Sequence, residues 1–275
     1  MIDLHCHSTA SDGDHSPAEL VRLAAGRGVR VLGLTDHDTM AGVAEARAEG
    51  ERAGVRVITG VEISVRVGRG SMHMLGYFPG DPPDGLMEHF AAAAARRRAR
   101  AAAMVARLAE LGAPLALDDV LARARGNVGR PHIADALVDA GHCSSRRQAF
   151  DQYLSDRGPA YVGYDAPTPR AALALILGAG GAPVLAHPAS LGLPHGQLVS
   201  EVQRLASRGL AGIEVHRPEH DAPRRRLHAR IAKAFRLVAS GGSDYHRPGE
   251  GIAPGDTGDP PLAPGTADLL LERAG

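Results

Sequence analysis

The sequence predicts an α/β fold, a parallel sheet or barrel interrupted by an inserted helical subdomain. Three observations carry this expectation. Apolar runs and helical spacings alternate as β-α-β-α-β over the first third of the chain, and the alternation resumes near Thr168-Pro169. Between Leu86 and about Val162 no convincing strand pattern is found. Strand after strand ends in His, Asp or Glu, and functional residues gather at C-terminal strand ends in barrels and open parallel sheets.

Taken in order, residues 2–6 read as the first strand. Ser16-Pro17-Ala18-Glu19 reads as a capping box with proline at the first helical position. Leu20, Leu23 and Ala24 recur at helical spacing, and Gly28 stops the helix. Val29–Leu34 is the second strand, and a helix follows from about Met40 to Ala53. Val55–Thr59 is the third strand. Ile63–Val67 and Met72–Phe78 flank Gly68-Arg69-Gly70-Ser71 as a hairpin. Ala91–Leu111 is a strong helix former, and weaker helical patterns cover Leu117–Ala124, His132–Ala140 and Ser145–Leu154. Arg96-Arg97-Arg98 and Arg100 spread over several helix faces and read as solvated surface. Strands at Pro183–Ala186, Ile213–Val215 and Leu237–Ser240 alternate with helices at Leu198–Ser207 and Pro223–Ala234. The expected division is a barrel domain at 1–85 and 163–255, a helical insert at 86–162, and a loosely packed tail at 256–275.

Composition narrows the function classes. Lys+Arg and Asp+Glu balance at 31 each, so no global field draws in long nucleic acid or an anionic membrane. A small anionic substrate needs only a local pocket. The chain has no Trp, which argues against a base-stacking platform for single strands. The two cysteines, Cys6 and Cys143, are too few for a disulfide framework and point to a reducing, cytoplasmic setting. Neither a signal peptide nor a long uncharged apolar run is found.

The chemistry is at the strand ends. His5 and His7, two apart in a strand, project to one face; Cys6 between them points the other way and is not an expected ligand. Asp12 follows. Later strands bring Asp36, His37 and Asp38, then Glu62, with His73 on the hairpin, then His187, Glu214 and His216, and Asp244 and His246. A lone His is ordinarily a surface group, and Asp36 or Asp38 alone could cap a helix. Their recurrence at strand after strand points instead to transition metals. There are too many ligands for one ion, so two or three ions sharing ligands are expected, with Zn, Mn and Fe equally suited. Clustered divalent ions suit phosphate-ester hydrolysis, in which a pair bridges and deprotonates a water.

At these residues the chain resembles the PHP (polymerase and histidinol phosphatase) family. The matching motifs are His5-x-His7 with Asp12, Thr35-Asp36-His37-Asp38, Gly60-x-Glu62, His73, Ala186-His187-Pro188 and Gly242-Ser243-Asp244-Tyr245-His246. The resemblance implies a distorted seven-stranded barrel, (β/α)7, with a trinuclear site. One ion would take His5, His7, Glu62 and Asp244; a second Glu62, His73 and His187; a third Asp12, His37 and His246. Gly129-Arg130-Pro131-His132-Ile133-Ala134 is similar to a motif of the bacterial subgroup that includes 3′,5′-nucleoside bisphosphate phosphatases, some of whose members act on the 5′ ends of short RNA. It implies that Arg130 and His132 meet phosphate, and that His220 contacts phosphate or protonates the leaving oxygen. The implied function is metal-dependent hydrolysis of nucleotide phosphomonoesters. The alternatives are a histidinol-phosphatase-like enzyme and a non-catalytic metal- or nucleotide-binding module.

Overall fold

The computed structural model describes residues 1–68, 71–81, 83–249 and 251–275. Its frame is one seven-stranded sheet in sequential order. The strands are β1 (Ile2–Cys6), β2 (Val31–Leu34), β3 (Arg56–Val65), β4 (Met72–Phe78), β5 (Ala182–Leu185), β6 (Gly212–His216) and β7 (Val238–Gly241). The sheet curls until its edges meet. Past β7, Tyr245 bridges to Cys6, His7 N donates to Tyr245 O and Asp244 N donates to His5 O. The result is a nearly closed, distorted barrel. β4 alone runs against its neighbours. Its first residues therefore lie at the same rim as the C-terminal ends of the other strands, which puts His73 there.

Two expected segments turn out to be one. Thr59 and Ile63 belong to a single continuous strand, because Thr59 through Val65 all pair with β4. Gly60 does not break it. The β3–β4 hairpin is present, with Val65 opposite Met72; Arg69 and Gly70 of its expected turn lie outside the described residues.

Helices α1 (Pro17–Gly26) and α2 (Val43–Ala53) cover the first strands. Ser16 and Glu19 form the reciprocal capping box. α7 (Pro169–Gly178), capped by Thr168, α8 (His195–Ala206) and α9 (Ala222–Ala234) cover the later ones. Between them stand α3 (Asp84–Glu110), α4 (Leu117–Arg123), α5 (Arg130–Asp139) and α6 (Arg146–Ala149), the last continuing as a π-helical turn at Phe150–Leu154. These helices bury their own apolar cluster, including Met104, Leu108, Ile133, Leu137 and Leu154, separate from the sheet–helix core. Among the described residues no helix is long and apolar enough to cross a membrane.

The C-terminal segment is not loosely packed. A last helix, α10 (Thr266–Leu271), buries Ala267 and Leu270, and with Leu262 they join the barrel-interior cluster of Ile2, Leu4, Tyr77 and Val184. Gly255 N donates to Asp3 Oδ2. The run of Pro and Gly hides an anchor whose apolar residues are too few and too spaced to show periodicity. Arg97 also departs from expectation. It is buried, and its guanidinium donates to Asp38 Oδ2 and Ser64 Oγ, which ties α3 to the barrel rim.

His220 is buried away from solvent. Its Nδ1–H donates to Val215 O at 3.0 Å, and its ring meets that of His228 edge-on at 4.7 Å. Burial first, and then His220, push the His228 imidazole down to about 4. Above the ordinary value both folded and unfolded chains carry it neutral. As pH falls from about 6.5 towards 4, the unfolded chain takes up the proton and the folded chain does not, so stability falls. A variant His228→Leu should therefore lose about 2–3 kcal/mol less than the parent between pH 7 and 4 in urea unfolding. Parallel pH profiles would contradict this burial argument.

Barrel closure also sets a steric limit. A Cβ at Gly242 would lie 2.3 Å from His5 Cβ and 2.4 Å from His5 N, whereas one at Gly196 in α8 meets nothing within 4 Å. Gly242→Ala should cost about 1–3 kcal/mol in chemical unfolding, and Gly196→Ala should be neutral or stabilising by up to about 1 kcal/mol. Equal effects would show that the barrel edges do not meet as described.

Candidate metal centre

The rim gathers the expected side chains around Glu62. His5 and His7 are fully buried and project inward. Cys6 turns to the outer side, where its Sγ lies 3.6 Å from Ser243 Oγ and packs in the sheet–helix core. Glu62 Oε2 lies 3.2 Å from His5 Nε2, 3.2 Å from His7 Nε2 and 3.1 Å from His37 Nδ1. Its other oxygen, Oε1, lies 2.8 Å from both His73 Nδ1 and His187 Nε2. Asp244 Oδ1 lies 3.2 Å from His5 Nε2 and 3.1 Å from His7 Nε2. Asp12 and His246 complete a flank, with Asp12 Oδ1 3.4 Å from His246 Nε2 and the His7 and His246 rings stacked at 4.1 Å.

Three groups of ligand atoms lie close enough to share an ion: His5, His7, Glu62 and Asp244; His7, Asp12, His37 and His246; and His37, Glu62 and His73. The first coincides with one expected set. The second adds His7 to the expected Asp12, His37 and His246. The third holds His37 where His187 was expected, although His187 reaches the same carboxylate.

The donor set fits divalent ions. His5 Nε2, His7 Nε2, His37 Nδ1 and Glu62 Oε2 are buried without a hydrogen-bond partner among the described residues. They sit 3.1–3.2 Å apart but are not aligned to bond one another. Two ligands each about 2.1 Å from a common ion are spaced by roughly that amount. Buried polar atoms left unpaired cost about 1–3 kcal/mol each, so their convergence calls for a cation. Burial pushes the Glu62 carboxyl up, but His37, His73 and His5 outweigh it and hold it well below the usual range. The same opposition leaves Asp12 and Asp244 low. All three carboxylates are thus ionised and suited to a metal.

A second layer orients these ligands. Glu214 Oε1 accepts from His5 Nδ1 at 2.9 Å, which leaves Nε2 free to face the cluster, and Glu214 Oε2 accepts from His187 N. Arg217 donates to Glu214 Oε2 and to Asp244 Oδ2, leaving Asp244 Oδ1 towards the histidines. Asp36 accepts from Ser8 N, Ser8 Oγ and Ser11 Oγ, which fixes the loop that carries Asp12. Sequence reading passed over Arg217. Its position three residues after the strand-end Glu214 was the available signal. His216 turns away to Pro260 O.

Two joined cavities open beside the cluster. The inner, about 270 Å³, is lined by Asp12, Glu62, Asp244, His246 and Phe150, among others. The outer, about 550 Å³, is lined by Arg66, Arg157, Tyr161 and Tyr164, among others. Ser64, His73, Arg100 and Arg130 line both. Arg130 is held by Leu154 O and by Asp156 Oδ1 at 2.7 Å, with its guanidinium 5.7 Å from the Phe150 ring centroid and 5.6 Å from that of Tyr161. His132, expected at phosphate, lines neither cavity. Its Nδ1 accepts from Gly129 N at the start of α5, and it faces a separate polar cleft with Thr9 and Arg125. His220 lines neither cavity either, being enclosed between the β6 loop and α9.

Comparison with known proteins agrees with this geometry. The PHP domain family profile matches residues 3–114. A 5′-3′ exoribonuclease of Haemophilus influenzae is 38% identical over 247 residues, 90% of this chain and 90% of that protein. A 3′,5′-nucleoside bisphosphate phosphatase of Chromobacterium violaceum is 36% identical over 254 residues, 91% of this chain and 88% of that one. The solved structure of a candidate metal-dependent phosphoesterase from Bifidobacterium adolescentis superimposes with a TM-score of 0.88 at 33% identity, covering 99% of this chain and 96% of the other. The chain belongs to the PHP family and is a metal-dependent phosphoesterase.

Proposed function

We propose that this enzyme removes phosphate from nucleotides, preferring nucleoside 3′,5′-bisphosphates, and that it uses three divalent ions of Mn, Zn or Fe. The observation that carries the reading is the convergence of nine His, Asp and Glu side chains on a rim that opens directly into an arginine-lined cavity. One ion is assigned to His5, His7, Glu62 and Asp244, a second to Glu62, His73 and His187, and a third to Asp12, His37 and His246. Glu62 bridges through its two oxygens. When bound, such ions supply Lewis acidity to the phosphoryl group and acidify water.

The chain's own residues supply position and charge. Arg130 is braced by Asp156 and Leu154 O through Nη1. Its remaining donors are left for phosphate oxygens, which a guanidinium can grip at two points. Arg217 holds Asp244 and Glu214 in register. His132 caps α5 and so steadies Arg130 at the first turn of that helix. His220 braces the loop after β6 and is not assigned a proton transfer.

The nucleotide preference is supported by the phosphatase relative, and the balanced charge of the chain suits a small substrate over a long one. A second reading, hydrolysis at the 5′ ends of short oligonucleotides, is favoured by the exoribonuclease relative. With defined divalent metals, adenosine 3′,5′-bisphosphate should give a kcat/KM at least roughly tenfold above histidinol phosphate, a difference of about 1.4 kcal/mol in transition-state binding. A chelator should abolish both activities. A clear preference for histidinol phosphate would overturn the substrate choice, and turnover only on 5′-phosphorylated oligonucleotides would favour the second reading.

A further inference from the structure

The outer cavity is strongly basic in a chain of zero formal net charge. Arg66, Arg100, Arg130 and Arg157 line it against a single carboxylate, Asp156, and Arg130 takes that carboxylate. Arg100 is half-buried, and among the described residues no carboxylate lies within ion-pair distance of it. Its Nε donates to Val162 O at 2.8 Å. Its guanidinium lies 5.3 Å from the Tyr161 ring centroid and 5.6 Å from that of Tyr164.

Both tyrosines line the outer cavity and neither lines the inner one. The charged head of Arg100 is therefore on the outer side of the shared wall. Arg130 also rests on Phe150, which lines the inner cavity. Burial, then Arg130, push the Arg100 guanidinium down to about 10, so it remains charged at neutral pH beside a second cation. Partly desolvated like charges cost free energy until an anion joins them.

We propose that Arg100 anchors a second, non-reacting phosphate of the substrate in the outer cavity while the reacting phosphate occupies the inner one. The inference rests on the nucleotide reading above and gives a physical reason for a bisphosphate preference. It also reassigns a residue of the Arg96–Arg100 run from solvated surface to recognition.

The test uses metal-free protein, so that it is separate from turnover. Wild type, Arg100→Met and Arg100→Lys are titrated calorimetrically with adenosine 3′,5′-bisphosphate and with adenosine 3′-monophosphate, and thermal melts check folding. Wild type should bind the bisphosphate at least roughly tenfold tighter, as expected of one charge-assisted phosphate contact. Arg100→Met should shrink that ratio to about threefold or less, and Arg100→Lys, which keeps the charge but not the fork, should fall between them. The Lys variant carries the test if the Met variant melts early. An undiminished ratio in the variants, equal weakening of both ligands, or no preference in wild type would overturn the proposal. Failure of the metal-loaded wild type to hydrolyse either compound would instead count against the nucleotide reading.

Discussion

The Glu62 carboxylate is the point on which the rest of the structure depends. It is buried on β3, and five imidazoles reach it, three at one oxygen and two at the other. A buried carboxylate needs compensating charge and hydrogen bonds. Here the compensation converges from β1, the segment after β2, β4 and the segment after β5. The barrel closes so that these segments can meet, and the absence of a side chain at Gly242 lets the β7 end approach His5. Several ligand atoms at that point still lack partners. Divalent ions satisfy them and stabilise the folded state by binding it alone.

Around this hub, charge is arranged in layers. Arg217 joins Glu214 to Asp244 and sets which oxygen of each faces the cluster. Arg97 joins α3 to Asp38, and Asn127 Nδ2 donates to the carbonyls of His37 and Asp38. The helical insert is thus fastened to the backbone that carries a candidate ligand. A substrate held by Arg130 is thereby held by an element whose distance from the ligand cluster is fixed.

Much of this was legible in the sequence because strand geometry is local. His5-x-His7 follows the two-residue period, and each later strand announces its end by a His, Asp or Glu. What was not legible depended on tertiary direction. Thr59 and Ile63 lie in one strand because β4 pairs along its length, which Gly60 obscures locally. The arginines of α3 cover several faces, and only the packed barrel decides that Arg97 is buried and that Arg100 meets a cavity. His132 and His220 sit in motifs, but motifs do not show orientation. One caps a helix and the other is enclosed against His228. The tail's few apolar residues matter because the barrel floor needs covering.

The central claim is that Glu62 organises a cluster of three ions. Metal content per chain, measured by elemental mass spectrometry on purified wild type and Glu62→Gln, tests it most directly. The account predicts three ions per wild-type chain and loss of at least two from the variant, with its secondary structure retained by circular dichroism. A wild type that holds one ion or none after loading, or a variant that keeps all of them, would contradict it.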